Sequence, residues 1–412
     1  MEKLAIDGGN PVCEGLQWGR SLIGTEEKEA VHKLLEDSIA NGKAFDRYGG
    51  EHVDAYEQEY AAFANTEYAT AVSSGTAAVH TAISALRLEP GREIICAPIT
   101  DPGAVAPVLM NLCIPVFADT AAGGFNMCAA GVEKVLSDKT AAIVVGHIAG
   151  EPADMDPILK LTAAQGLPVI EDCAQAHGAE DKGRPVGGMG TAGCFSLMSG
   201  KHHTAGGQGG MVVTNDRELY LNAKRFADRG KPFESESTTN LFMGINYRMT
   251  EFEAAVGRVQ LKKLPGFVAR RRELALRLAD GIKDLEAVAL PIGRPDSKPV
   301  FWFLRMLVDE DKLSVDKAQF GAALKAEGVP SAHTYTNIIY TQKWLKERNT
   351  YGTSQLPWTL PGAADYDYTD SCPNAEAANA SHMLISFNES LSDEHMDKTA
   401  EAIRKVAAAY AR

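Results

Sequence analysis

From about residue 70 to 215, short unbroken apolar runs recur between longer stretches with helical periodicity. The runs are Ile94–Pro98, Pro115–Ala118, Ala141–Gly146, Pro168–Ile170, Gly193–Leu197 and Met211–Thr214. They are rich in Val and Ile and do not alternate with polar residues. That pattern predicts strands buried on both faces, as in a mostly parallel sheet. Helices are predicted between them over Ala77–Leu86, Pro157–Gln165 and Arg217–Asp228. Ahead of them, Glu26–Ile39 and His52–Ala64 have amphipathic patterns. Such alternation predicts an α/β fold with helices on both faces of the sheet.

The texture changes after Thr250. Glu251–Leu264 reads as a helix broken by Pro265-Gly266, because an interior proline removes a hydrogen bond and crowds the preceding turn. A second helix, Phe267–Leu285, carries Arg270-Arg271-Arg272. A strand (Val300–Val308), a helix (Val315–Glu327), a strand (Met383–Phe387) and a last helix (Asp393–Tyr410) follow. This α+β tail implies two domains, residues 1–265 with an N-terminal arm and residues 266–412. Arg348–Thr369, rich in Tyr, Gly, Pro and Thr, reads as a long surface loop.

Composition narrows the function mainly by exclusion. A chain of 412 residues with 45% hydrophobic positions can bury a large core. Its formal charge of −13 is spread along the chain. Nucleic acid and anionic membrane surfaces are thereby excluded as partners, since both need clustered Lys and Arg. A small phosphorylated ligand needs only local positive potential and stays open. No secretory leader pattern or membrane-spanning apolar run is seen. The seven cysteines are widely spaced and form no Cys-x-x-Cys pair, so reduced buried thiols in a cytoplasmic protein are expected.

Three familiar-looking motifs fail on context. Gly188-Met189-Gly190-Thr191-Ala192-Gly193 matches G-x-G-x-x-G, but it precedes a strand instead of opening a helix. Gly200-Lys201 lacks the first glycine and the hydroxyl of a phosphate-binding loop. His202 and His203 are adjacent, so they point in different directions and make a poor metal pair.

Three other features fall at the ends of predicted elements, where open α/β sheets bind ligands. Ser73-Ser74-Gly75-Thr76 directly precedes a helix, which suits either an anion site or a simple N-cap. Glu171-Asp172 ends a buried apolar run, so each acid needs a cation, structural or otherwise. Lys201 leaves another buried run and enters a loop with Gly206-Gly207-Gln208-Gly209-Gly210. A lysine in a confined place has a lowered pKa and becomes a nucleophilic amine, although a lone lysine is ordinarily just a solvated charge. A phosphate anchor, a buried acid and an activated lysine are the parts a pyridoxal 5'-phosphate enzyme needs.

With these blocks in order, the sequence resembles the DegT/DnrJ/EryC1/StrS family of pyridoxal-phosphate-dependent sugar aminotransferases. The likeness runs from Leu4-Ala5-Ile6-Asp7-Gly8-Gly9 through Ser74-Gly75-Thr76, Glu171-Asp172-Cys173-Ala174-Gln175-Ala176 and Phe195-Ser196 to Lys201. It continues through Gly209-Gly210-Met211-Val212-Val213-Thr214, Asn246-Tyr247-Arg248-Met249 and Gln260-Leu261. The resemblance implies an aspartate-aminotransferase-type (fold type I) large domain with a mostly parallel seven-stranded sheet, plus a smaller C-terminal α+β domain. It implies Lys201 as the Schiff-base lysine, Asp172 at the pyridinium nitrogen, Gln175 at the ring's phenolic oxygen and Ala174 against the ring. Ser74, Gly75, Thr76 and Ser196 would hold the phosphate, with Asn246 reaching it from the second subunit of a homodimer. His333, Tyr335 and Tyr340 would line the acceptor pocket. For a nucleotide diphosphate acceptor, Arg225, Arg229, Lys231 and Arg248 are candidates for a cationic edge, although a solvated helix face explains the first two equally well. The implied donor is glutamate or glutamine and the implied acceptor a keto-sugar or cyclitol. A sugar dehydratase of the same cofactor class and a non-catalytic sensor with this fold are the alternatives. Two positions depart from the family pattern. Asp101 stands where a ring-stacking aromatic is usual, and Gln208 stands where many members have an acid.

Overall fold

The computed structural model describes residues 2–42, 45–46, 48–330, 338–363 and 366–412. Its centre is a seven-stranded sheet ordered Tyr68–Val72, Gly210–Thr214, Ala192–Ser196, Val169–Asp172, Thr140–Gly146, Glu93–Cys96, Ile114–Phe117. Gly210–Thr214 pairs antiparallel with both neighbours, and the remaining pairings are parallel. The strands are buried almost throughout, which is why their sequences read as continuous apolar runs. Six of the seven lie where the apolar runs are, within a residue or two. The seventh, Tyr68–Val72, escaped that pattern because its Tyr-Ala-Thr-Ala-Val sequence is short and poor in large β-formers. Helices Pro102–Met110 and Ala129–Val135 were also not anticipated.

One expectation is corrected outright. Glu251–Ile282 is a single helix of 32 residues with Pro265 inside it. An interior proline costs about 3 kcal/mol. Here the turns before it pack on helices Thr25–Asn41 and Glu51–Ala64, and the turns after it pack on Asp393–Tyr410. Burial of Leu261, Leu264, Leu274 and Leu278 along both halves outweighs the local cost. The boundary expected near residue 265 therefore falls inside this helix.

The C-terminal region builds a three-stranded antiparallel sheet from Val288–Ala289, Leu304–Val308 and His382–Ile385. Its core includes Leu4 and Cys13, so the N-terminal arm packs into the chain's far end. The segment read as a surface loop, Arg348–Thr369, is less exposed than expected. Trp358 and Tyr368 are buried in the main core, and the Tyr368 hydroxyl donates to the Pro115 carbonyl at 2.8 Å. All seven cysteines are unpaired, six of them buried. Among the described residues, no helix is long and apolar enough to cross a membrane.

Candidate active site

The strand Tyr68–Val72 runs into Ser73 and Ser74, and helix Gly75–Ala85 starts there. Ser74 is the N-cap, its hydroxyl oxygen accepting the Ala77 N–H at 3.0 Å, while the Ala78 N–H bonds to the Ser74 carbonyl at 2.9 Å. Among the described residues, the N–H groups of Gly75 and Thr76 have no acceptor. The cap and the anion site are thus both present, on different amides. A Cβ at Gly75 would lie 2.6 Å from the Ser196 Cβ, so the end of strand Ala192–Ser196 sits directly against this helix terminus. The Ser196 hydroxyl, on a buried residue, is thereby beside the two free amides. Gly210 serves the same approach from the neighbouring strand, where any side chain would run into the Ser74 carbonyl. These amides and this hydroxyl fit a phosphate group. Gly75→Ala is expected to weaken pyridoxal phosphate binding by roughly 5- to 150-fold, the equivalent of about 1–3 kcal/mol of overpacking. A spectroscopic cofactor titration measures it.

Adjacent strand residues face opposite sides of a sheet, and this separates the two acids that end Val169–Asp172. Glu171 is wholly buried. It accepts the N–H groups of Gly187, Met189 and Gly190 at 2.8, 2.8 and 2.7 Å and His147 Nε2 at 3.0 Å. His147 Nδ1 accepts the Ala153 N–H at 3.0 Å, so Nε2 carries the proton and donates. Burial alone would raise the Glu171 pKa, but these bonds more than reverse it, and the group stays a carboxylate. The glycine motif at residues 188–193 thus wraps an internal carboxylate and not a nucleotide. Glu171→Ala is expected to cost about 3–5 kcal/mol of stability, the usual loss when one partner of a buried pair is removed, as read by denaturant unfolding.

Asp172, half-buried, faces the other way. Its Oδ1 accepts the Ala174 N–H at 3.0 Å. Burial raises its pKa. The Ala174 bond and the nearby Lys201 and His147 oppose that, and Asp101 adds to it. Lys201 is buried, and burial lowers its pKa against the pull of Asp172 and Asp101. The two groups lie within electrostatic reach of each other, as the sequence blocks required. Gln175 is buried, and its Oε1 accepts the Ala149 N–H at 2.8 Å. That fixes the amide's orientation and leaves its NH2 as the available donor. Among the described residues, no acceptor for it is seen. Between Asp172 and Gln175, Ala174 contributes only a methyl group. A cationic ring nitrogen at Asp172, an anionic oxygen at Gln175 and a phosphate at Gly75 and Thr76 match the chemistry of pyridoxal phosphate.

Asn246 is exposed, and its Oδ1 accepts the Arg248 N–H at 3.4 Å. Arg248 pairs with buried Asp228 and lies over the Tyr48 ring. Arg225 donates to the Phe233 carbonyl, Arg229 pairs with Asp228, and Lys231 lies over Tyr48. Tyr340 is buried, and its hydroxyl donates to Glu376 at 2.6 Å. His333 and Tyr335 lie outside the described residues. Asp101 caps helix Pro102–Met110 through a 2.8 Å bond from the Gly103 N–H. His202 and His203 are fully buried. His202 Nε2 is 3.2 Å from the Val300 carbonyl, and His203 Nε2 is 3.1 Å from the Tyr56 hydroxyl.

The aromatic beside the lysine was not anticipated. Trp302 lies with its ring centroid 4.1 Å from Lys201 Nζ. Its only sequence signal was an aromatic cluster, Phe301-Trp302-Phe303, in what read as a strand.

Known proteins resemble this chain over most of its length. Residues 23–404 match the model of the DegT/DnrJ/EryC1/StrS aminotransferase family. The GDP-perosamine synthase of Escherichia coli O157:H7 is 35% identical over 290 residues, 70% of this chain and 76% of that protein. The L-glutamine:scyllo-inosose aminotransferase of Streptomyces griseus is 32% identical over 338 residues, 79% of this chain and 78% of that protein. The crystal structure of an aminotransferase from Psychrobacter cryohalolentis superposes with a TM-score of 0.81 at 29% identity, covering 96% of this chain and 99% of that one.

Proposed function

The chain belongs to the DegT/DnrJ/EryC1/StrS aminotransferase family, and from that premise we propose that it moves an amino group from glutamate or glutamine to the ketone of a sugar or cyclitol. Pyridoxal phosphate is the cofactor. When bound, it supplies an electron sink that makes the proton on the amine-bearing carbon labile. The protein's residues do the rest. The amides of Gly75 and Thr76 and the Ser196 hydroxyl hold the phosphate. Asp172 keeps the ring nitrogen protonated, and the Gln175 NH2 donates to the ring's oxygen. Lys201 is the amine that would hold the cofactor covalently, and its Nζ is the base that would take the proton from the donor's carbon and return one to the acceptor's carbon.

The single observation that carries this reading is the convergence of Lys201, Asp172 and Gln175 beside a helix terminus with free amides. Two of the relatives are named for amination of a sugar or a cyclitol, which supports the acceptor class. The acidic balance of the chain favours an uncharged ketone over a nucleotide diphosphate, which would approach against the mean field. We also propose a homodimer. Asn246 is exposed beside exposed Leu241, Met243 and Ile245, a patch suited to a second copy whose phosphate it would reach. The test is a panel of ketones, inososes beside nucleotide-linked keto-sugars, with either amino acid as donor. Turnover of at least one pair is expected. No transfer to any sugar or cyclitol ketone would defeat the proposal.

A further inference from the structure

Lys201 lies within a frame that the chemistry above does not use. Trp302 donates from Nε1 to the Gly200 carbonyl at 3.0 Å and from its backbone N–H to the Ala149 carbonyl at 2.9 Å. The indole is therefore locked against the residue that precedes Lys201. Arg20, from the N-terminal arm, donates to the carbonyls of Lys201 and His202 at 2.7 and 3.0 Å. Arg271, from the long helix, donates to the carbonyls of Phe301 and Trp302 at 2.8 and 3.3 Å. One buried carboxylate joins the two arginines. Glu389 Oε1 accepts from Arg20 Nε, and Oε2 from Arg271 Nε, each at 2.8 Å. Beside the direct Trp302–Gly200 bond, Glu389 thus links the lysine segment to the tryptophan segment.

We propose that Trp302 is a positioning residue for Lys201: its indole face seats the lysine as an ammonium whenever that amine is not bonded to the cofactor, and Glu389 holds seat and lysine in register. The inference rests on the reading of Lys201 as the cofactor-binding amine. The 4.1 Å separation is well inside cation–π range. Asp101 supplies no ring where a stacking aromatic was expected, and Trp302 is the aromatic found beside the amine. Burial works to discharge Lys201. The indole face opposes this from one side, as do Asp172 from its strand and Asp101 from its helix cap. Nearby His177, His202 and His203 are held neutral by their own burial, and Arg20, paired with Glu389, meets the lysine segment through its backbone carbonyls. An amine balanced in this way can both accept a proton and give it up.

The rate at which apoprotein captures pyridoxal phosphate, followed by visible absorbance as a function of pH, reads the balance directly, because only the neutral amine reacts. Trp302→Leu keeps the site apolar but removes the ring. The midpoint is expected to fall by about 0.5–1.5 pH units, so that capture below both midpoints becomes roughly 3- to 30-fold faster. Trp302→Phe, which restores a weaker ring, should fall between leucine and the wild type. Glu389→Gln should shift the midpoint the same way by less. A leucine variant whose midpoint equals or exceeds that of the wild type overturns the proposal. If wild-type apoprotein captures no cofactor at all, the reading of Lys201 itself fails, and this inference goes with it.

Discussion

Lys201→Ala should yield a folded protein that takes up pyridoxal phosphate without covalent capture and transaminates at least about 10⁴-fold more slowly. The proton transfer alone accounts for a factor of about 10²–10⁴, and covalent attachment of the cofactor is lost as well. Folding should survive because, among the described residues, the side chain makes no ion pair that holds elements together. It is a buried amine whose burial disfavours its charge. The frame around it acts through carbonyl oxygens that alanine retains. Absorbance spectra and turnover with glutamate or glutamine measure the outcome. Wild-type rates in this variant would remove Lys201 from the mechanism.

Asp172→Asn carries the second-largest effect, and it has two opposite parts. Turnover should drop on the order of 10²–10³-fold, the scale on which one preorganised electrostatic partner at a reacting centre matters. Asparagine keeps an acceptor for the Ala174 N–H but cannot hold a ring nitrogen protonated. The apoprotein, in contrast, should unfold at a higher temperature at neutral pH. Burial raises the Asp172 pKa in the folded state. A group with a raised folded pKa is least favourable to folding when fully ionised, above that pKa, so the aspartate penalty is present at neutral pH and fades on acidification. The gain in unfolding temperature over the wild type should therefore shrink as pH falls. A variant with full activity, or one less stable than the wild type at neutral pH, would contradict this account.

The same strand shows how far the sequence could be read. Glu171 and Asp172 were equivalent in it, two acids ending an apolar run. Alternation guarantees that they face opposite ways. It does not say which face holds His147 and the glycine amides and which faces Lys201. Those partners lie 15 to 30 residues away, on other strands and loops. Pro265 erred in the other direction. Its local signal was sound, but tertiary packing on both flanking stretches of helix overrode it. Arg271 read as one of three basic residues on a helix and is in fact wholly buried between a carboxylate and two carbonyls.

By itself, the sequence determined the α/β sheet, because strands buried on both faces must be built from runs of apolar residues. It also pointed to Ser74-Gly75-Thr76, Asp172 and Lys201 as candidates, because each follows or ends a recognisable element, while Gln175 and Ser196 came only from the family resemblance. Only the tertiary structure decided that Trp302 is the aromatic at the lysine, that Arg20, Arg271 and Glu389 frame it, and that Arg248 is engaged by Asp228. Such pairings join residues up to 369 positions apart. No local pattern encodes them, since they exist only once the sheet, the long helix and the C-terminal region have packed together.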